Sequence, residues 1–600
     1  MTTSDDTKLP LDGEQIDRLK QNLEKVEELA RRLSGLAAVR EKPNAALSSP
    51  NPELFAEAAK TYWSEMMQDP AKLLEAQAGY WKETVQNFVE VSQEATKSEE
   101  GAAADAAPKD KRFAHPLWES NPFFNMVKKQ YLTNAAALSD AVESVEMGDA
   151  DKRRLTFFTR QMIDMMAPTN FLATNPEALE KAIETEGQSL IDGLENLVSD
   201  LEANDGELVV RLTDESAFEV GGNIATTPGE VVYRNRLIEL IQYAPTTDEV
   251  KETPIVLFPP WINKFYILDL KQQNSLIKWV VDQGYTLFVV SWVNPDPSYA
   301  EVGLDDYIQD GFIAATNEVK AICGVKQVNA IGYCIAGTTL SLTLSYLKHQ
   351  GDKSVKSATF FTALTDFSEK GEFTPFLQDD FIGAIEEEVA GKGILPSQIM
   401  ARTFSYLRAN DLVYGPAIRS YLMGQTPPAF DLLYWNGDGT NLPAKMAVEY
   451  LRGLCQHNEF AEGGMELMGD RLHIEDVDVP VCAITCETDH IAAWKDCYRG
   501  VQMMGSKNKT FIVSQSGHIA GIVNPPSKGK YGHYTNGDLS QDADTWFENA
   551  QFHKGSWWPR WEKWLSRRSG KSVPARNPGD SQHPVLEKAP GTYVLVKTSH

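Results

Sequence analysis

Residues 327–340 read QVNAIGYCIAGTTL, and this segment is the most informative part of the chain. Its apolar first half predicts a short strand, and the residues after Cys334 predict a helix. The cysteine therefore lies at the turn between them, with Gly332 two residues before it and Ala336 and Gly337 after it. Small flanking residues are what a sharp strand-to-helix turn, a nucleophile elbow, needs in order to present a nucleophile above a sheet. Taken alone, the pattern also fits a buried structural thiol between glycines.

Two later strand ends supply the partners that such a nucleophile needs. The run VPVCAITC is followed by ETDHIAAW, which places Asp489 just past a strand, and KTFIVSQ is followed by SGHIAG, which places His518 just past the next one. The order nucleophile, acid, histidine is that of the α/β-hydrolase fold, whose sites form at the carboxyl ends of strands. We therefore predict a catalytic triad of Cys334, Asp489 and His518. His490, beside the acid, is predicted to point elsewhere and to support the site or the structure.

The triad also needs donors for the oxyanion of an acyl-transfer intermediate. The N–H of Ile335, directly after the nucleophile, is the first predicted donor. The second should follow the early strand PIVLF, in the loop PPWINKFYILDL, where Trp261 or Ile262 could present its N–H, and we select Ile262. Asp269, in the same stretch, is predicted to be structural. A cysteine nucleophile favours acyl transfer over ester hydrolysis, because an acyl group moved from one thioester to another remains activated.

The pattern of the sequence changes near residue 205. Residues 1–205 are helix-like, whereas residues 206–600 alternate short β-rich runs with helical stretches. This alternation predicts a mostly parallel sheet flanked by helices. An interruption at about 372–460 is too long for a structureless loop and is predicted to be an inserted cap, and a C-terminal tail covers about 566–600. The predicted fold is α/β, an α/β-hydrolase domain with an inserted cap, preceded by an all-helical N-terminal domain.

Three further segments carry specific expectations. Residues 14–35 repeat apolar residues at spacings of three and four, which predicts a helix that packs on its own domain or pairs with a partner. ELVVRLT, residues 207–213, is predicted to be the first strand. The segment FHKGSWWPRWEKWLSRRSG predicts a helix whose tryptophans lie in the core, the alternative being an amphipathic surface.

The composition excludes several classes of protein. The 600 residues carry a formal net charge of −27, and we expect no nucleic acid as partner because phosphate binding needs clustered Lys and Arg. The opening MTTSDDTKLPLDG and the lack of any apolar run of about 18 residues predict neither a secretory signal nor a transmembrane segment. The six cysteines are too sparse for a disulfide framework, and no cysteine and histidine set indicates a metal site. We expect a reduced, cytoplasmic protein.

Several long motifs, taken together, resemble those of the polyhydroxyalkanoate synthases. They are APTNFLATNPEAL, PPWINKFYILDL, GYCIAGT, FDLLYWNGDGTNLP, TDHIAAW, SGHIAGIVNPP and APGTYVLVK, in this order along the chain. The resemblance covers most of the sequence, and the first hundred residues are the least comparable part. The form WNGDGTNLP and the length of the single chain are similar to class I of the family, which prefers short C3–C5 monomers.

The resemblance implies a specific chemistry. Such enzymes polymerise (R)-3-hydroxyacyl-CoA into a storage polyester and release coenzyme A. The coenzyme A thioester would then be a substrate, and we expect no tightly bound cofactor. Cys334 would carry the acyl group, His518 would be its base, and Asp489 would orient His518 or help to activate the 3-hydroxyl of the attacking unit. Trp435, in YWNGDG, would serve a dimer contact or activity, or would be a packed cap residue. The expected partners are a second copy of the chain, a phasin and the polyester granule surface.

Two residues depart from the pattern of the family. Ala336 replaces a glycine of the elbow G-x-C-x-G-G, and Ala493 replaces the proline of DHIxPW, so the turn could be tighter and the loop after Asp489 looser. Two other functions stay open. One is a cysteine-dependent thioesterase or intracellular polyester depolymerase on the same fold, and the other is a granule-associated scaffold with an inactive site.

Overall fold

The N-terminal part of the chain is helical throughout its described residues. The computed structural model describes residues 13–37, 56, 58–62, 78–80, 82–87, 89–90, 110–204, 206–369 and 371–598. Local sequence explains where helices begin: the side chains of Asn121 and Asn175 each accept an N–H of the first turn, and a proline follows each of them. The helices of this part include α1 Gly13–Ala37, α2 Leu117–Ser120, α3 Pro122–Ser144, α4 Asp149–Met165, α5 Pro176–Glu184 and α6 Gln188–Ala203.

Helix α1 confirms the helix predicted at residues 14–35. The apolar stripe that predicted this helix is, however, not the face that packs. Leu23 and Val26 of the stripe are 62% and 39% exposed, whereas Leu29, which is outside the stripe, is fully buried. The helix packs against α6 of the same region, where Lys25 is 2.9 Å from Glu195. The described part of α1 thus packs within the chain, and pairing with a partner stays a prediction.

A single eleven-stranded sheet forms the centre of the rest of the chain. Its order is β15-β14-β13-β12-β7-β6-β4-β5-β2-β1-β17, and the neighbours from β13 to β5 are all parallel. The strands of the main sheet are β1 Gly229–Arg234, β2 Ile238–Tyr243, β4 Ile255–Phe258, β5 Leu287–Trp292, β6 Val328–Tyr333, β7 Val355–Phe361, β12 Val481–Cys486, β13 Lys509–Ser514, β14 His533–Thr535, β15 Gln551–His553 and β17 Glu587–Lys588.

Three two-stranded pairs lie outside the main sheet. They join β3 with β16, β8 with β9, and β10 with β11. Their bounds are β3 Glu249–Lys251, β8 Ile394–Leu395, β9 Leu442–Pro443, β10 Met465–Leu467, β11 Asp470–Leu472 and β16 Ser572–Pro574.

The parallel strands are buried on both faces, which explains their nearly continuous apolar sequence. Alternate residues of β4 enter different cores: Val256 lies in one apolar cluster and Leu257 in the other. Helices cover both faces of the sheet. Those outside the inserted segment are α7 Leu276–Asp282, α8 Leu304–Asp306, α9 Ala314–Cys323, α10 Ile335–His349, α17 Trp494–Met503, α18 Ala543–Glu548 and α19 Trp558–Ser566, and a π-helical stretch, Tyr307–Ile313, joins α8 to α9.

A mainly helical segment is inserted between β7 and β12. Three π-helical stretches interrupt its helices, at Asn410–Tyr414, Ile418–Leu422 and Tyr450–Gln456. N-terminal helices pack on this segment: the hydroxyl of Tyr421 donates to Asp200 of α6 at 2.8 Å. The helices of the segment are α11 Asp379–Lys392, α12 Ser397–Leu407, α13 Gly415–Ala417, α14 Asp431–Gly437, α15 Ala444–Glu449 and α16 Glu459–Glu462.

The fold class is confirmed as an α/β-hydrolase domain with a helical insertion and a helical N-terminal region, while the exact domain boundaries stay predictions. The tryptophans of α19 lie in the core as predicted, with Trp558 and Trp561 at most 1% exposed. The strand predicted at residues 207–213 is wrong. That stretch is held by side chains instead of a strand ladder, since Arg211 binds Asp200 and Thr213 donates to the carbonyl of Pro428. Among the described residues, no helix is long and apolar enough to span a membrane.

Candidate active site

Cys334 occupies a strained turn between β6 and α10. Its φ is +54° and its ψ is −127°, a conformation that few non-glycine residues adopt. The turn is fixed because the N–H of Cys334 donates to the carbonyl of Phe361 at the end of β7, at 2.8 Å. Strain of this kind persists only where the surrounding structure holds it, and it is common at active sites. Cys334 is half-buried.

The two glycines of the elbow are required by close approach of the chain. A Cβ on Gly332 would lie 2.6 Å from the Cα of Gly337, and a Cβ on Gly337 would lie 2.4 Å from the Cβ of Ala363. Both contacts are shorter than van der Waals packing allows. The third small residue, Ala336, is fully buried in the apolar core beside them. The turn therefore accommodates the methyl group that replaces the glycine of the family pattern.

Asp489 and His518 form a buried pair at the carboxyl ends of β12 and β13. Oδ2 of Asp489 is 2.7 Å from Nδ1 of His518, and Oδ1 accepts the N–H groups of Ile491 and Ala492 at 2.8 and 2.9 Å. The carboxylate is therefore fixed by the backbone on one oxygen and holds the imidazole with the other. His518 also interacts electrostatically with the thiol group of Cys334, so the structure brings the three predicted triad residues together.

The electrostatics of the pair favour a protonated imidazole. Burial by itself would lower the pKa of His518, but the neighbouring carboxylate of Asp489 and thiol of Cys334 outweigh it and raise that pKa well above its usual value. A charge on His518 is thus stabilised next to the nucleophile. An imidazole so placed can hold the proton that a thiol must lose before it attacks.

His490 directly follows Asp489 in the loop after β12. It lies half-buried near Arg408 of the inserted segment, and burial, reinforced by the charges of Arg408 and His518, lowers its pKa to about 4. His490 is therefore a neutral residue beside the pair at neutral pH. Its predicted supporting role stays a prediction.

The two predicted oxyanion donors follow the neighbouring strands β6 and β4. Ile335 is the first residue of α10, so its N–H has no acceptor within the helix. Ile262 follows β4, and its carbonyl accepts the N–H of Thr440 from the inserted segment at 3.0 Å. The neighbouring Trp261 is fully buried, with its indole N–H on Thr339 at 3.1 Å. The loop after β4 is thus anchored next to the elbow, and the choice of Ile262 as donor stays a prediction.

Trp435 and Asp269 both have internal roles in this chain. Trp435 is 6% exposed, and its indole N–H donates to the carbonyl of Lys264 at 2.7 Å. This is the packed arrangement that the sequence left open, and a dimer contact through Trp435 stays a prediction. Asp269 is buried and accepts the N–H and hydroxyl of Thr227 at 3.1 and 2.6 Å, which agrees with a structural residue.

The sequence analysis did not predict three aromatic residues that contact His518 or the loop that follows it. The ring of Tyr333 stacks on His518 with centroids 5.9 Å apart, and its hydroxyl donates to the carbonyl of His518. Trp557 and Trp558 donate to the carbonyls of residues 521 and 522, just after His518, at 2.8 and 2.9 Å. Tyr333 directly precedes Cys334, so its position was a usable signal, whereas no spacing connects the tryptophans with the histidine loop.

Tyr450 brings the inserted segment to the nucleophile. Burial, followed by interactions with the thiols of Cys455 and Cys334, raises the pKa of its hydroxyl well above the usual value. Its ring packs at right angles to Trp261, with centroids 5.5 Å apart. Tyr450 also begins a π-helical stretch, a feature that is frequent at functional sites.

A cysteine elbow, a buried histidine–aspartate pair at strand ends and a helical insertion beside them define an enzyme of the α/β-hydrolase class with a cysteine in the nucleophile position. Two family models match parts of the chain, and one of them supports this class. A family model described as alpha/beta hydrolase fold matches residues 253–525, and one described as the N-terminus of poly-beta-hydroxybutyrate polymerase matches residues 109–280. A solved soluble variant of monoglyceride lipase from Saccharomyces cerevisiae is 11% identical, with a TM-score of 0.35, over 59% of this chain and 99% of its own.

Relatives with curated names identify the family. The poly(3-hydroxyalkanoate) polymerase of Methylorubrum extorquens is 42% identical over 537 residues, which cover 88% of each chain. The corresponding PhaC subunit of Cupriavidus necator is 40% identical over 83% of this chain and 85% of its own. The chain belongs to the poly(3-hydroxyalkanoate) polymerase family. It is therefore an acyltransferase of polyhydroxyalkanoate synthesis, and the resemblance found in its motifs is confirmed.

Proposed function

We propose that the chain polymerises (R)-3-hydroxyacyl-CoA through a thioester on Cys334, with His518 as the base. The observation that carries this proposal is the buried pair in which Asp489 holds Nδ1 of His518 at 2.7 Å, with Cys334 near enough to interact electrostatically with the same imidazole. Nδ1 is occupied by the carboxylate, so Nε2 is left for the thiol. That is the arrangement in which a histidine removes a proton from a nucleophile.

The first half of the reaction loads the enzyme. His518 takes the thiol proton, and the thiolate of Cys334 attacks the carbonyl carbon of the coenzyme A thioester. The oxyanion that forms is stabilised by the N–H groups of Ile335 and Ile262. When the intermediate collapses, the bond to the coenzyme A sulfur breaks, and this sulfur leaves with the proton from His518. One thioester replaces another, so the acyl group keeps its activation.

The second half forms the ester bond of the polymer. The 3-hydroxyl of one acyl unit loses its proton to His518 and attacks the carbonyl of a thioester-bound unit. The departing sulfur takes the proton back from His518. Both oxygens of Asp489 are already occupied, one by two backbone N–H groups and one by His518. This supports orientation of the imidazole as the role of Asp489 rather than direct contact with the hydroxyl.

Exclusion of water separates this reaction from simple hydrolysis. The inserted segment reaches the nucleophile through Tyr450, whose ring packs on Trp261 and Phe367. A covered site protects a thioester from water until the next hydroxyl arrives. This supports polymerisation over thioesterase or depolymerase activity.

The finer aspects of the function rest on the motifs. The form WNGDGTNLP in one long chain supports short C3–C5 monomers, such as 3-hydroxybutyryl-CoA. We further propose a homodimer in the cytoplasm, associated with polyester granules and with a phasin. The coenzyme A thioester enters as substrate, and its binding residues stay unassigned.

The test mixes the purified protein with (R)-3-hydroxybutyryl-CoA, follows thiol release and weighs the insoluble product. Cys334→Ala should abolish both, while the matched control Cys323→Ala, at a thiol in the last turn of α9, should retain both. Thiol release with free 3-hydroxybutyrate and no polymer would identify a thioesterase. Release only from a longer donor would refute the short-chain preference, and no release from any donor would identify an inactive scaffold.

A further inference from the structure

The loop after β4, residues 259–264, is held by the inserted segment on one side. The carbonyl of Ile262 accepts the N–H of Thr440, and that of Lys264 accepts the indole N–H of Trp435. An antiparallel bridge between Asn263 and Gly439 lies between these two bonds. The backbones of three consecutive loop residues, 262–264, are therefore fixed to residues 435–440 of the inserted segment.

The C-terminal tail holds the same loop through the side chain of Lys264. This lysine is 3% exposed, and its Nζ donates to the carbonyl of Val596 at 2.7 Å. The same carbonyl accepts Nδ2 of Asn294 at 3.3 Å. A buried ammonium group without an acceptor is costly, so the lysine and the tail depend on each other. Burial lowers the pKa of Lys264, and nearby Asp438 opposes that shift.

A buried carboxylate fixes the tail just before it reaches the lysine. Glu239 of β2 is fully buried, and it accepts the N–H of Thr592 and that of Tyr593, each at 3.0 Å. A Cβ on Gly591 would lie 2.3 Å from this carboxylate, so the chain passes too close for any other residue. Val594, between the two anchors, is 1% exposed in the core. Residues 591–597 are thus held by two buried groups of opposite charge.

We propose that this C-terminal segment is a positioning element of the active site, and that Lys264 transmits its position to the loop of Ile262. The inference rests on the proposed function, in which that loop supplies the second oxyanion donor. Lys264 lies two residues after Ile262, so a shift of its side chain moves the N–H that must meet the oxyanion. The segment touches no reacting atom and acts only through this geometry.

Lys264→Met tests the proposal in the full-length protein, because it keeps the length of the side chain and removes its donor. Lys271→Met is the control, since this half-buried lysine pairs with Asp431 of α14 at 2.9 Å and lies outside the proposed path. A misplaced oxyanion donor should lower kcat about 10- to 100-fold with KM within about two-fold of wild type. Lys271→Met should retain kcat, and Lys264→Arg, which keeps a donor, should recover part of the loss.

A second pair of variants tests the tail itself. Truncation after Pro590 should reproduce the loss of Lys264→Met, whereas truncation after Thr598 should leave kcat unchanged. For each variant, turnover is divided by the folded fraction from thermal denaturation, so that a loss of kcat is not confused with unfolding. Alkylation of Cys334 by iodoacetamide should proceed at the wild-type rate in the variants. Unchanged kcat in Lys264→Met, a loss explained wholly by unfolding, or failure of both altered proteins to fold would overturn the inference. An inactive wild type would instead overturn the proposed function.

Discussion

Replacing Asp489 by asparagine separates the shape of the site from its proton chemistry. The asparagine oxygen can still accept the N–H groups of Ile491 and Ala492, so the loop after β12 keeps its anchor. The other position changes from an acceptor to an amide donor, 2.7 Å from Nδ1 of His518. His518 must then present Nδ1 as the acceptor and carry its proton on Nε2. In that tautomer it cannot take the proton of Cys334.

The size of the effect follows from this change of tautomer. In serine proteases the equivalent substitution lowers kcat by about 10⁴. A thiol depends less on its base than a hydroxyl does, because a few per cent of it is already ionised near neutral pH. We therefore expect a loss on the order of 10²–10³ in kcat, or about 3–4 kcal/mol of transition-state stabilisation. The pKa of His518 should also fall, since burial would no longer be opposed by a carboxylate.

The assay compares steady-state thiol release from (R)-3-hydroxybutyryl-CoA by Asp489→Asn with that of the wild type. Asp496→Asn is the control, because Asp496 is also buried but pairs with Arg499, at 2.7 Å, instead of the histidine. The control should keep kcat within a few-fold. A folded Asp489→Asn protein with turnover within about tenfold of wild type would refute the tautomer argument and assign the aspartate a structural role.

Two further predictions concern stability. Gly337→Ala should lower the free energy of unfolding by about 1–3 kcal/mol, because the added methyl group overpacks against Ala363. Gly391→Ala, with open space around its Cβ, should leave that free energy unchanged or raise it. Urea denaturation measures both effects. Burial, opposed by the carbonyl of Gly555, lowers the pKa of His533 to about 4. The unfolded chain then binds that proton more readily than the folded chain, so stability should fall as the pH falls from 6.5 toward 4. His533→Gln should flatten this part of a Tm–pH curve. A variant curve that runs parallel to the wild-type curve would contradict the prediction.

The centre of the fold and the proximity of the three predicted triad residues were predictable because local sequence determines both. Strands β4, β6, β7, β12 and β13 are buried on both faces, so each appears as a short apolar run with turn residues after it. Parallel strands bring their carboxyl ends to one edge of the sheet, so residues that follow different strands meet there. The spacing of Cys334, Asp489 and His518 from the ends of their strands was therefore sufficient to place them together.

Contacts between distant segments decided what the sequence did not predict. The run ELVVRLT has strand-forming residues, but Arg211 and Thr213 bind α6 and the inserted segment instead. In α1 the face that packs was chosen by α6 and not by the heptad stripe. The sequence predicted only a C-terminal tail, yet Glu239 and Lys264, more than 300 residues earlier, fix it against the loop after β4.

Backbone shape and packing explain why the two departures from the family pattern, Ala336 and Ala493, leave the site intact. Ala493 has a φ of −52°, within the range that proline imposes, so its backbone already has the shape that proline would give. The loop owes its position to the bonds of Ile491 and Ala492 with Asp489, and neither bond involves residue 493. Proline restricts the unfolded chain more than alanine does, so alanine at this position lowers stability by about 0.4–1 kcal/mol. At Ala336 the methyl fills core volume beside the elbow. Substitutions that preserve backbone shape and packing therefore change stability and leave the relative positions of Cys334, His518 and Asp489 unchanged.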